Sequence, residues 1–215
     1  MEVISMYRNF LKHVFDFILS LFAFIILSPL FLAICLAIKI DSKGPILFKQ
    51  RRIGKNKKEF LIFKFRSMTT DAPKDQPTHL LKDADSHITR VGKFLRKTSL
   101  DELPQLINII MGQMSIVGPR PALYNQDDLV AKRDEVGAND VRPGLTGWAQ
   151  VNGRDELPID VKSKFDGEYI QRLSFLFDLK CIARTFKSVS TADGVVEGEL
   201  EVTAEGESQV EGDSL

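Results

Sequence analysis

The sequence predicts an α+β, helix-rich fold carried on an N-terminal membrane helix, and three observations predict it. From Phe17 to Ile38 run 22 residues without a charge. Two alternating segments, 45–53 and 59–68, flank the polar stretch Gly54-Lys55-Asn56-Lys57-Lys58. Apolar residues recur at three- and four-residue spacing over 88–98, 103–111 and 173–190.

The uncharged run is long enough, as a helix, to cross about 30 Å of hydrocarbon. No A-x-A-like cleavage site follows it, which argues against a signal peptide. Ser28-Pro29 stands at its midpoint. Proline removes a backbone N–H and collides with the carbonyl four residues earlier, and a neighbouring serine can satisfy the freed group. Basic residues lie on both sides, Arg8 and Lys12 before and Lys39, Lys43 and Lys49 after. A spanning helix usually carries its Lys and Arg bias on one side. These residues favour a re-entrant helix broken at Ser28-Pro29, with a simple spanning helix as the alternative. Ile4, Tyr7, Leu11, Val14 and Ile18 form an apolar stripe leading into it.

The alternating segments read as a β-hairpin with the lysine-rich stretch as its loop. Period two places Leu61, Phe63 and Phe65 on one face and Lys64 and Arg66 on the other, which is either a solvated face or one turned to phosphate. Residues 69–87 read as a long polar loop. The 88–98 helix carries Ile88, Val91, Phe94 and Leu95 on one stripe; the 103–111 helix is apolar. The 173–190 helix bears Lys180, Arg184 and Lys187 along an apolar stripe, and so reads as interfacial or as a core helix with a wet face.

The formal net charge is zero, with 29 bases and 29 acids, but the charge is segregated. Residues 192–215 hold eight acids and no Lys or Arg, so the body keeps 29 bases against 21 acids, a net +8. A basic body points to an anionic partner: nucleic acid, a membrane surface or a phosphorylated ligand. The acidic tail has too few large apolar residues to fold by itself. This divides the chain into residues 1–41 (amphipathic start and membrane helix), 42–190 (basic body) and 191–215 (acidic tail). Cys35 and Cys181 match no metal or disulfide spacing.

Three constellations could carry chemistry. Ser99-Leu100-Asp101-Glu102-Leu103-Pro104 fits an S-x-x-E capping box with proline in the first turn. The same carboxylates, held ionised at a helix start, could serve as nucleophile, base or magnesium ligand. Gly118-Pro119-Arg120-Pro121 fixes one arginine between two prolines; it is either a rigid turn or a guanidinium set for a diphosphate. The stretch from Arg142 to Arg154 combines three glycines with the only tryptophan, Trp148. It matches no Walker or Rossmann pattern, and its glycines permit close backbone approach to a ligand or plain turns.

These motifs, in this order, resemble those of the bacterial sugar transferases, the monotopic phosphoglycosyl transferases. The resemblance rests on the Ser28-Pro29 break, Lys49-Gln50-Arg51-Arg52-Ile53-Gly54-Lys55, Lys64-Phe65-Arg66-Ser67-Met68, the Ser99–Leu106 stretch, Val117-Gly118-Pro119-Arg120-Pro121 and the Arg142–Arg154 stretch. It covers roughly residues 5–190 and corresponds in length to a minimal catalytic form. It implies a re-entrant anchor in the bacterial inner (cytoplasmic) membrane with the catalytic domain on the cytoplasmic face. It implies attack by Asp101 on the β-phosphate of a UDP-sugar, UMP release, and transfer of the sugar phosphate to undecaprenyl phosphate. Glu102 is the implied dyad partner, and magnesium the implied ion, with Asp101 and Glu102 as its ligands. Arg96 and Arg120 correspond to phosphate-binding arginines, with Lys64, Arg66, Arg51 and Arg52 as weaker candidates. The expected partners are a UDP-sugar, preferably of an N-acetylated amino sugar with glucose or galactose as alternatives, undecaprenyl phosphate and membrane lipids. Nucleic acid is not among them, and a homodimer is allowed. Two rival functions are a membrane-anchored binder of anionic lipid or polymer, which needs nothing of Asp101, and a glycosyltransferase that releases UDP.

Overall fold

The computed structural model describes residues 6–73, 84–153 and 157–191. The N-terminal segment is two helices. A π-helical turn, Tyr7–Leu11, runs into α1, Lys12–Ile26, and α2 follows as Ser28–Asp41. They bend by 62° at the break, and among the described residues no single helix is long and apolar enough to cross a membrane. Pro29 cannot donate to Ile25 O four residues back. The Ser28 hydroxyl donates to that carbonyl instead, at 2.7 Å.

The side of α1 turned to the protein is polar. Lys12, Asp16 and Ser20, spaced by four, are the buried residues of α1. Phe15, Ile18, Leu19, Phe22 and Ile25 are exposed. A helix in water buries its apolar face; this one turns it outward. Lys12 is thus no flanking charge. It is ion-paired to Asp178 at 2.6 Å, and the Asp178 carboxylate also accepts from Tyr7 Oη and Tyr169 Oη. Asp16 accepts from Ser115 Oγ at 2.6 Å and from the Ile116 amide at 3.1 Å.

The hairpin forms as expected, β1 (Leu47–Ile53) pairing antiparallel with β2 (Glu59–Phe65) from Leu47 opposite Phe65 to Ile53 opposite Glu59. Its buried side differs. Ile62 is buried and Leu61 exposed, because the face of Ile62 and Lys64 meets the helices. Either alternation, Phe60-Ile62 or Leu61-Phe63, is apolar enough to be buried, so tertiary packing decides. Phe65 and Arg66 are both buried where the strand end is covered on both sides.

Next come α3 (Arg90–Lys97), a 3-10 turn (Leu100–Glu102) and α4 (Gln105–Ile110). Thr89 Oγ1 accepts from the Gly92 amide and Asp41 Oδ2 from the Val91 amide, so the end of α2 helps cap α3. A Cβ at Gly92 would overlap the Ser67 carbonyl, so α3 can lie this close to the chain leaving β2 only with glycine there. The Asn108 side chain, on α4, takes the Phe63 amide and donates to Leu61 O, pinning α4 along the free edge of β2.

Strand β3 (Ser115–Val117) pairs parallel with β4 (Gly144–Thr146) across α5 (Asp127–Glu135); α6 (Ile159–Arg172) and α7 (Phe175–Thr191) close the fold. One core joins Tyr7, Val117, Trp148, Tyr169 and Phe177; a second joins Ile34, Ile38, Phe65 and Leu95; a third joins Ile62, Leu106, Ile109 and Met114. Before the break Tyr7 and Leu11 serve the first core and Ala23, Phe24 and Leu27 the third; after it Ile34 and Ile38 serve the second, so both arms are fastened to one body. Among the expectations, most of the 69–87 loop and the acidic 192–215 tail lie outside the described residues.

Candidate active site

The capping box does not form. Ser99 stands in the left-handed region at φ 56° and makes no cap bond. A serine accepts that conformation at a cost of about 1 kcal/mol, and here it turns the chain from α3 into the 3-10 turn. The helix proper starts only at Gln105, with Pro104 at its N-cap. Asp101 and Glu102 therefore sit on a tight turn ahead of α4, released from helix capping.

Asp101 is 8% exposed. The Lys64 ammonium, on β2, lies 2.7 Å from Glu102 Oε1 and 3.9 Å from Asp101 Oδ2. Arg120 Nη2, from the loop after β3, reaches the same Glu102 oxygen at 3.1 Å. Burial pushes the Asp101 carboxyl up, Lys64, Arg96 and Arg120 pull it down and Glu102 adds to the rise, leaving it at about 6. Burial also pushes Glu102 up, but Lys64 and Arg120 outweigh it and hold that carboxyl well below the usual range. The two neighbouring acids are thereby separated: Glu102 is the fixed counter-charge, Asp101 the carboxylate kept near neutrality. Asp101 remains mostly ionised at pH 7, but less firmly than a carboxylate at a helix start would.

Of the sequence candidates, Asp101, Glu102, Lys64 and Arg120 come together, and Arg96 lies close enough for its charge to act on Asp101. Three are engaged otherwise. Arg66 is 4% exposed and donates to Ser42 O at 2.7 Å, Ser42 Oγ at 2.8 Å and Lys43 O at 2.8 Å, so it holds the chain leaving α2. Arg51 stacks on Tyr124, 3.8 Å above its ring, beside Glu59. Arg52 donates to Gln50 Oε1 and to Pro121 O at 2.9 Å, gripping the backbone next to Arg120.

A second grip was not visible in the sequence. Arg133, on α5, donates to Arg120 O at 2.8 Å and is paired to Asp166 at 2.7 Å, both side chains almost fully buried. Nothing in the local pattern around either residue marks this pair, 33 positions apart. The glycines of the tryptophan-containing stretch serve the same loop. A Cβ at Gly144 would overlap the Gly118 amide, and one at Gly147 the Gly118 carbonyl. Their close approach is to protein backbone, and Trp148 is core.

As a metal site, the donor set is small: among the described residues no group of three His, Cys, Asp or Glu side chains assembles. Magnesium commonly binds through one or two carboxylates with substrate phosphates supplying further oxygens. Asp101 and Glu102 fit that mode, since both cations meet Glu102 at Oε1.

The geometry, a buried carboxylate facing cations, suits transfer of an anionic group. Residues 7–192 match the family model described as bacterial sugar transferase. The chain belongs to that family. This sugar transferase is 36% identical over 185 residues to the uncharacterized sugar transferase EpsL of Bacillus subtilis, a match covering 86% of the chain and 90% of the relative. It is 40% identical to the UDP-glucose:undecaprenyl-phosphate glucose-1-phosphate transferase of Escherichia coli, over 83% of the chain and 40% of that enzyme. It is 36% identical to the UDP-N-acetylgalactosamine-undecaprenyl-phosphate N-acetylgalactosaminephosphotransferase of Aeromonas hydrophila, over 86% of the chain and 45% of that enzyme. The sugar transferase thus spans less than half the length of these two named enzymes.

Proposed function

We propose that the protein transfers a sugar 1-phosphate from a UDP-sugar to undecaprenyl phosphate and releases UMP, through a covalent phosphosugar on Asp101. The observation that carries this is the buried Asp101 carboxyl beside Glu102, with Lys64 2.7 Å and Arg120 3.1 Å from the Glu102 carboxylate and Lys64 3.9 Å from Asp101. In the first step an Asp101 oxygen attacks the β-phosphorus. The bond from that phosphorus to the bridging oxygen breaks, and UMP leaves with the electron pair. In the second step a phosphate oxygen of the lipid attacks the same phosphorus, and the Asp101 carboxylate leaves. One difficult displacement becomes two. Lys64, Arg96 and Arg120 offset the charge gathered at the reacting phosphate, and the grips of Arg52 and Arg133 fix where Arg120 stands. Magnesium held at Glu102 and Asp101 would add charge neutralisation of the donor diphosphate.

The rate should fall tenfold per pH unit below about 6, because protonated Asp101 cannot attack, and level off above it. Lys64→Gln removes a cation that favours the ionised form and should move that limb to higher pH. Glu102→Gln removes a repelling anion and should move it to lower pH. Single-turnover UMP release against pH reads all three; shifts in the same direction for both variants would refute the assignment.

The bent pair is proposed as a re-entrant anchor in the inner membrane, with the catalytic body on the cytoplasmic face. Its arms of 15 and 14 residues each reach about 22 Å, short of a bilayer core of about 30 Å. The apolar side faces outward, and the carbonyl freed at the bend is satisfied by Ser28. Both ends return to one body, Lys12 on Asp178 and Ser42 on Arg66. In a chain with Cys35 and Cys181 replaced by serine, cysteines at positions 6 and 45 should both react with an impermeant thiol reagent from the cytoplasmic side alone. Labelling from opposite sides would refute the hairpin.

The function itself is tested by nucleotide release from a panel of UDP-sugars with undecaprenyl phosphate. UDP-glucose leads the panel, since the glucose enzyme shares 40% identity against 36% for the N-acetylgalactosamine enzyme. UMP as product supports the proposal; UDP as product makes the protein an ordinary glycosyltransferase.

A further inference from the structure

Trp148 is ringed by cations. Arg184 stands 4.7 Å, Lys180 5.4 Å and Arg172 5.9 Å from its ring, while its indole N–H donates to Glu168 at 2.9 Å. Arg184 also donates to Asn152 Oδ1 at 3.1 Å. Among the described residues none of the three cations is ion-paired. All three are exposed, and three cations against the one Glu168 carboxylate leave a net positive charge at this ring for a further anion to offset.

The rest of α7 indicates which anion. At 3.6 residues per turn, its surface divides into three strips. Phe175, Leu176, Leu179 and Phe186 form an exposed apolar strip, and Phe177, Asp178 and Cys181 a buried one. Lys180 and Arg184 lie between the two. The apolar strip is continuous with the outward face of the membrane pair, because Phe175 packs on Phe15 of α1 at 5.8 Å. If the apolar strip enters the bilayer, the basic strip lies at headgroup depth.

We propose that Lys180, Arg184 and Arg172, gathered round Trp148, bind the phosphate of an anionic phospholipid headgroup. The inference rests on the membrane reading above and not on the transfer chemistry. The three cations stand on α6 and α7, apart from the elements that carry Asp101, Glu102, Lys64, Arg96 and Arg120.

Trp148 is the only tryptophan of the chain, so its emission reports on this place alone. Dioctanoyl phosphatidylglycerol titrated into the detergent-solubilised full chain should change that emission saturably, and dioctanoyl phosphatidylcholine should not. The Lys180→Gln/Arg184→Gln double variant should need about 30-fold more phosphatidylglycerol, at about fivefold per cation lost. Arg172→Gln alone should need about fivefold more and serves as the test if the double variant does not fold. Equal responses to the two lipids, or unchanged titrations in the variants, would overturn the proposal. So would an equal response to inorganic phosphate, which would mean a free-phosphate site, or a raised KM for undecaprenyl phosphate in the double variant, which would assign the patch to the acceptor. UMP release measured in parallel keeps the outcomes apart: a wild-type chain that responds to phosphatidylglycerol without releasing UMP retains this site and loses only the proposed transfer.

Discussion

Asp101→Asn should lower UMP release by about three orders of magnitude or more, with the protein still in the membrane fraction. The amide keeps the size and shape of the carboxylate but is neutral and a poor nucleophile, so the covalent step has no attacking group. Little else should change. Glu102 takes the short contacts with Lys64 and Arg120, at 2.7 and 3.1 Å, whereas Asp101 stands 3.9 Å from Lys64. Removing the Asp101 charge also relieves a desolvation cost, the largest influence on that group. Thermal stability should therefore hold or rise, and a loss of activity through unfolding would be visible as its fall. Release above about a tenth of wild type would show that the nucleophile is another group. The same result would revive the reading of a basic body that merely binds anionic lipid or polymer.

Lys12→Met should destabilise the protein by about 3–5 kcal/mol, the range for breaking one partner of a buried ion pair. Lys12 and Asp178 have side chains 7% and 6% exposed, and methionine leaves the carboxylate without its cation. The hydroxyls of Tyr7 and Tyr169 still donate to Asp178, so the loss should fall toward the lower end. A melting curve of the full chain in detergent reads it. The loss should be recovered in part by Lys12→Met/Asp178→Asn, since the amide removes the uncompensated charge while its oxygen still accepts from a tyrosine hydroxyl. A single variant as stable as wild type would mean that α1 is not fastened to the rest of the fold through this ion pair.

The two cases differ in how far the sequence discloses them. Asp101, Glu102 and Arg120 stand out as candidates because their setting is local, adjacent acids before an apolar helix and an arginine between prolines, while their roles come from the family resemblance. The hairpin and the Ser28-Pro29 break are legible for the same reason, since turn chemistry and a missing N–H act over a few residues. Lys12 looked like a flanking charge because the uncharged run was counted from Phe17. The spacing Lys12, Asp16, Ser20 is itself a helical stripe, and it was the available signal that the polar side of this helix is the protein side. Arg66 shows the opposite limit. A basic residue on a strand looks the same whether it meets a substrate phosphate or the carbonyls of Ser42 and Lys43, 23 or 24 positions away. Ser99 shows another, because a capping-box pattern specifies residue types and not the left-handed backbone that displaces the cap. The Arg133–Asp166 grip on Arg120 is wholly tertiary.

Peptide mass spectrometry detects the proposed covalent phosphosugar on Asp101 directly. The full chain is incubated with a UDP-sugar that it turns over, with undecaprenyl phosphate left out, quenched and digested. The expected result is one UMP released per active chain, a mass increase of one sugar phosphate on the peptide holding Asp101, and loss of that mass when undecaprenyl phosphate is added. UMP formed only when the acceptor is present, with no adduct on that peptide, would contradict it.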